Sequence, residues 1–265
     1  MRLVSFRGGF GRVEDAQLVP MGTDIVAYLA GDPAREEPPL ALDSVTLLAP
    51  VPEPRKVIGV GRNYREHARE LGSDIPEEPV LFAKFATSVV GPAEPILIPH
   101  PAKQVDYEAE LGVVIGTTAR EVTTEAALDH VAGYTCLNDV SARDLQFPPG
   151  QWTRGKAIDT FCPLGPHLVT RDEIPDPQTL RIRCLVNGEP MQESSTGEMI
   201  FSVAQLVSFI SQTITLLPGD VIATGTPPGV GAGRTPPRFL QPGDEVTVEI
   251  ERIGSLTNRL QRREV

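Results

Sequence analysis

The chain has 265 residues, 40% hydrophobic and 22% charged, enough to bury a full core, which excludes a disordered or fibrous polymer. Its 24 Lys and Arg stand against 35 Asp and Glu, a net charge of −11 that speaks against nucleic acid or a membrane surface as partner. An anionic substrate would then need a local cation or a bound metal.

Cys136, Cys162 and Cys184 are odd in number and form no C-x-x-C pair, so a reducing cytoplasm is expected, without a disulfide framework or Cys-rich zinc site. The first nine residues lack the apolar run of a signal peptide. The uncharged stretch 199–219 carries Ser202, Gln205, Ser208, Ser211 and Gln212, too polar to span a bilayer.

In chain order, strands are expected at 3–6 and 13–19, with a turn region at Gly8, Gly9 and Gly11. Pro50, Pro52 and Pro54 alternate in a stiff connector at 49–55. It marks the boundary between a small N-terminal β domain, residues 1–55, and a catalytic domain, residues 56–265. Beyond it, strand patterns fall at 57–61, 108–115, 131–137, 181–186, 220–224 and 245–250. A short helix is expected at 124–130. A second begins at Ser202 and Gln205, at capping-box spacing, and continues through Val203, Leu206, Val207, Ile210 and Ile214. Regular βα alternation is missing, so the expected class is mainly β with few helices (α+β) and mixed sheets.

The strongest chemical signal is at 106–115. On a strand, Ala109, Leu111, Val113 and Ile115 share one face, and Asp106, Glu108 and Glu110 share the other. Three like charges on one face repel each other. A hard dication such as Mg²⁺ or Mn²⁺ would offset this, and a solvated edge strand would also tolerate it. Asp139, where the 131–137 strand stops, is a candidate third ligand, with Asp144 competing for the role.

After the 57–61 strand, His67 and Glu70 lie three apart on a helical turn. A carboxylate there orients the imidazole and raises its basicity, as a general base for water requires; an ordinary charged helix surface is the alternative. Arg62, Lys84, Arg143 and Lys156 are the cationic candidates, each of which could equally be a surface charge. Gly225, Gly229, Gly231 and Gly233 form a glycine-rich loop whose N–H groups could hold a carboxylate or phosphate. It matches neither a P-loop nor a dinucleotide fingerprint, and no G-x-S-x-G occurs.

Taken in order, these blocks resemble the fumarylacetoacetate hydrolase family. They are Gly61-Arg62-Asn63-Tyr64-x-x-His67-x-x-Glu70; Phe82-x-Lys84; Asp106-Tyr107-Glu108-x-Glu110-Leu111; and Asn138-Asp139-x-x-x-Arg143-Asp144-x-Gln146. Lys156, Thr196-x-x-Met199-Ile200-Phe201 and Pro218-Gly219-Asp220-x-Ile222-x-Thr224-Gly225-Thr226-Pro227-x-Gly229-Val230-Gly231 complete the match, over roughly residues 56–253. The resemblance implies a mixed β-roll, usually a homodimer. It implies Glu108, Glu110 and Asp139 as ligands of Mg²⁺ or Mn²⁺, and His67 and Glu70 as a water-activating dyad on a short helical lid. Lys156 would stabilise an enolate, Arg143, Gln146 and Thr226 would surround the oxoacid, and Arg62 and Lys84 would stand at the rim. Pocket walls are expected from loops such as 146–151.

The 55 residues up to the end of the connector are fewer than the N-terminal domain of full-length fumarylacetoacetases, which favours the family's short branch. The expected activity is metal-dependent C–C hydrolysis of a small acylpyruvate-type 2-oxo acid. Decarboxylation of oxaloacetate or isomerisation of a hydroxylated dienedioate from aromatic breakdown is the alternative, and a silent oxoacid sensor is the non-enzyme reading.

Overall fold

The computed structural model describes residues 1–147 and 151–264. Two mixed sheets enclose the main core, so the fold is mainly β. The larger has 12 strands; its main path runs Leu40–Ala41, Gln17–Gly22, Gly9–Glu14, Arg2–Phe6, Cys162–Thr170, Val131–Asn138, Ala109–Ile115, Val221–Ala223, Val57–Gly61 and Val80–Lys84. A five-stranded sheet, in the order Glu189–Ser195, Arg181–Val186, Glu245–Ile250, Gly254–Arg262 and Ile96–Ile98, packs across it.

Ala109–Ile115 lies in the middle of the large sheet, antiparallel to Val131–Asn138 and to Val221–Ala223. All seven of its residues are buried. The expected core face, Ala109, Leu111, Val113 and Ile115, meets Ile182, Cys184, Val246 and Val248 of the smaller sheet. On the other face Val114 packs with Leu3, Val57 and Leu137. Glu108 and Glu110 share that second face and are 4% and 1% exposed, so the solvated-edge reading is wrong.

The helix Val203–Ser211 forms with its capping box: Ser202 accepts from the Gln205 amide, and Gln205 caps back. It buries Val203, Leu206, Val207 and Ile210, the apolar stripe read from its spacing. Among the described residues no helix is long and apolar enough to cross a membrane.

The first strands continue the large sheet, with Arg2 opposite Val169 and Leu3 opposite Leu168. The connector is anchored too, with Val51 buried and Ser5 donating to the Pro50 carbonyl at 2.8 Å. The single strand expected at 13–19 is a hairpin, Gly9–Glu14 and Gln17–Gly22, because Asp15 turns the chain at φ 52°. Cys162–Thr170 is a strand that the sequence reading missed, since Pro163, Gly165 and Pro166 carry turn signals.

Candidate active site

Strand alternation and register assemble the acidic centre. Ala109 pairs with Asn138, the Asp139 amide donates to the Glu108 carbonyl at 2.9 Å, and the Glu108 amide donates to the Asn138 side chain at 3.1 Å. These bonds bring Asp139, just past one strand, beside the two glutamates at the start of the next. One oxygen from each of Glu108, Glu110 and Asp139 lies within 4.8 Å of the others, and all three residues are buried.

Buried cations surround the trio unevenly. Lys156 Nζ donates to Glu108 Oε2 at 2.7 Å and to Asp139 Oδ2 at 2.6 Å. Arg143 lies 2.7 Å from Glu108 Oε1, donates to Asp106 Oδ2 at 2.9 Å and reaches Gln146 at 3.1 Å. Despite burial, Lys156 and Arg143 hold the Glu108 carboxyl far below the ordinary carboxylate range. Burial, followed by the charges of Asp139 and Glu108, pushes Glu110 well above it. Among the described residues, Glu110 accepts one hydrogen bond, from the Gly225 amide at 2.8 Å. One member of the trio is thus left undercompensated, and its donors are all carboxylate oxygens. That donor set and that charge deficit fit a hard divalent cation.

The glycine-rich loop does offer its amides to carboxylates, and they are the protein's own. Gly225 N–H serves Glu110, Gly229 N–H serves Glu70 at 2.9 Å, and Gly231 and Ala232 N–H serve Asp106 at 2.7 and 3.0 Å. Short pairing of Val105–Asp106 with Ser141–Ala142 sets Asp106 beside Arg143. On the helix Arg65–Glu70, His67 Nδ1 is 3.3 Å from Glu70 Oε2. A Cβ at Gly233 would stand 2.4 Å from Glu70 Cγ and Cδ, so any side chain there would have to displace Glu70.

His67, Glu108, Glu110, Arg143, Lys156 and Thr226 open on one cavity of about 240 Å³, which Arg62, Gln146, Phe82 and Trp152 also line. A larger, more open cleft of about 520 Å³ around Arg7, Asp24 and Arg55 holds none of the candidate residues.

Residues 56–261 match the fumarylacetoacetate (FAA) hydrolase C-terminal family. The chain belongs to that family. It is 50% identical over 229 residues, 86% of this chain and 73% of the relative, to the mitochondrial oxaloacetate tautomerase FAHD2A of Bos taurus. Among solved structures, a fumarylacetoacetate hydrolase from psychrophilic Exiguobacterium antarcticum superposes with a TM-score of 0.89 at 42% identity, covering 99% of this chain and 100% of that one. A 2-hydroxyhepta-2,4-diene-1,7-dioate isomerase from Mycobacterium marinum gives 0.85 at 39% identity, with 100% of each chain covered. The protein is therefore a fumarylacetoacetate hydrolase-family enzyme.

Most of the residues that the family resemblance pointed to converge on the cavity, with two adjustments. Lys84 is not at the rim: its fully buried ammonium pairs with Asp139 Oδ1 from outside the cavity lining and also donates to the Lys156 carbonyl. Asp144 is not the third acid, because it accepts the Lys103 and Gln104 amides at 3.0 and 3.2 Å. Of the expected 146–151 wall, residues 148–150 lie outside the described residues. Thr226 donates to the Ala109 carbonyl at 2.9 Å and accepts from Gln192 at 2.8 Å.

Sequence reasoning missed Gln192, which also accepts the Ala109 amide and has no local pattern to reveal it. It also passed over Trp152 and the clamping role of Asp106. The alternation of Asp106 with Glu108 and Glu110 was the available signal.

Proposed function

We propose that this enzyme moves a proton along a small anionic 2-oxo acid, tautomerising or isomerising it through an enolate, with Mg²⁺ or Mn²⁺ held by Glu108, Glu110 and Asp139. The observation that carries this reading is the meeting of that buried trio with Lys156 and His67 around one small cavity. Relatives named oxaloacetate tautomerase and dienedioate isomerase favour proton relocation over the C–C hydrolysis that the sequence put first. When bound, the ion draws electron density from the oxo and carboxylate oxygens of the substrate, lowering the cost of the enolate.

The chain's own groups do the rest. Glu70 holds His67 through Nδ1, which leaves Nε2 to take and return the proton at the carbon beside the oxo group. Glu70 is itself fixed by the Gly229 amide. Lys156 is kept protonated: Asp139 and Glu108 outweigh its burial and raise its pKa, so it supplies positive charge where the enolate oxygen develops. Arg143, Gln146 and Thr226 line the cavity around the oxoacid. A second reading, hydrolysis of an acylpyruvate, is favoured by the same His67–Glu70 pair, which could take a proton from water. The family resemblance also supports a homodimer.

The test is a steady-state panel of oxaloacetate tautomerisation, 2-hydroxyhepta-2,4-diene-1,7-dioate isomerisation and acylpyruvate cleavage, with Mg²⁺, with Mn²⁺ and with EDTA. Metal-dependent acceleration of the first or second is expected. Cleavage alone would replace the proposal with hydrolysis, and no turnover of any substrate would overturn both.

A further inference from the structure

Of the Arg and Lys side chains that line the cavity, Arg62 alone has no carboxylate partner among the described residues. Arg143 is engaged by Asp106 and Glu108, and Lys156 by Glu108 and Asp139. Arg62 lines the same cavity, yet among the described residues no carboxylate comes within ion-pair distance of it, and its Nε is buried without a hydrogen-bond partner. A buried, unanswered donor is costly and needs an explanation.

Several features hold that guanidinium in place. It sits 5.8 Å over the Trp152 ring, a cation–π arrangement. Trp152 packs edge-on against Phe82, with centroids 5.6 Å apart at 62°. The indole also occupies the space beside Gly61, where a Cβ would lie 2.1 Å from it. Arg62 itself has φ 57°, in the left-handed region that non-glycine residues rarely adopt and that is found where surroundings or function demand it. Strained backbone, an aromatic shelf and an obligatory glycine all serve to present one side chain to the cavity.

We infer that Arg62, supported by Trp152, receives the second carboxylate of a 2-oxo dicarboxylate, and so makes the enzyme selective for dicarboxylic over monocarboxylic oxoacids. The inference rests on the reading above, in which the 2-oxo acid end of the substrate sits at the acidic trio. A monocarboxylic oxoacid spends its only carboxylate there and leaves Arg62 unanswered. A planar guanidinium fork matches a carboxylate in bidentate fashion. The cavity, about 240 Å³, is below the roughly 300–1,000 Å³ of drug-sized sites, so the dicarboxylate is short.

Trp152 is the chain's single tryptophan, and its fluorescence reports on this corner without turnover. Mg²⁺-loaded enzyme is titrated with 2-oxoglutarate and with 2-oxopentanoate, acids of equal chain length of which only the first has a second carboxylate. The wild type should bind 2-oxoglutarate roughly ten- to a hundredfold more tightly, the range expected for a charge-assisted pair. Arg62→Gln should bring the ratio close to one, and Arg62→Lys should restore part of it. Equal affinity of the wild type for the two acids, or equal weakening of both by Arg62→Gln, would overturn the Arg62 assignment and leave the oxoacid reading standing. The wild-type comparison decides even if the glutamine variant does not fold. If neither acid, nor pyruvate, binds in the presence of Mg²⁺, both the assignment and the reading beneath it fall.

Discussion

Glu110 concentrates the electrostatic strain of the site. It is buried, its neighbours Asp139 and Glu108 add to the cost of its charge, and the charge of Lys156 with the Gly225 amide offsets only part of that cost. Glu110→Gln should therefore abolish the rise in Tm that saturating Mg²⁺ gives the wild type, without lowering the metal-free Tm. His67→Ala should keep the metal-induced rise and lower turnover by about 10²–10⁴-fold. Thermal unfolding with and without EDTA, beside steady-state rates, separates the two roles.

A distant residue sets part of the pH response. Burial, reinforced by Arg2, pulls the His167 pKa down, and its Nδ1 has no hydrogen-bond partner among the described residues. The unfolded chain then binds the extra proton more readily, so the stability is present above about pH 6.5 and is lost as pH falls below it. Denaturant titrations between pH 7 and 5 should show a flatter decline for His167→Gln. At this scale, alternation was enough to place Glu108 and Glu110 on one face. Asp139 could not be told from Asp144, nor Lys84 from a rim cation, because those distinctions depend on which distant oxygen or amide each side chain meets.

Among the elements, the loop 225–233 does the most for the site. Its amides anchor Glu110, Glu70 and Asp106, and Asp106 in turn anchors Arg143. The dyad, the acidic trio and the substrate-side cation are thereby tied to one segment of backbone. Gly233→Ala would push a methyl group into Glu70 and should lower kcat on the order of ten- to a hundredfold, as small misplacements of catalytic groups do. The circular dichroism spectrum should stay that of the wild type; an unchanged kcat would remove Glu70 from the account. The sequence marked this loop as an anion-binding segment, but could not show that its anions were internal. Element legibility followed chemistry: the Val/Ile-rich strand at 57–61 and the capped helix at 203–211 were readable. The proline-bearing strand at 162–170 was not, since it is held by neighbours on both sides rather than by its own propensity.

At the scale of the whole molecule, the N-terminal strands and the catalytic centre share one sheet and one apolar layer. Leu3 is fully buried and packs in the same cluster as Val57, Val114 and Leu137, on the face of Ala109–Ile115 that carries Glu110 further along. Leu3→Ala should cost about 2–5 kcal/mol, read by urea unfolding, and both halves of the chain should unfold in one transition. The class of fold was legible because strand patterns outnumbered helical ones. Which strands neighbour each other was not, because that order depends on contacts between segments far apart in the chain.

In the proposed function, three buried carboxylates, gathered where the strands Ala109–Ile115 and Val131–Asn138 meet, hold one hard dication. An anomalous difference map from a crystal soaked in Mn²⁺ tests it most directly. The account predicts one peak per chain, about 2.1 Å from an oxygen of each of Glu108, Glu110 and Asp139, with Lys156 displaced from between Glu108 and Asp139. A map with no peak there, or with Lys156 still bridging those carboxylates at full Mn²⁺ loading, would contradict it.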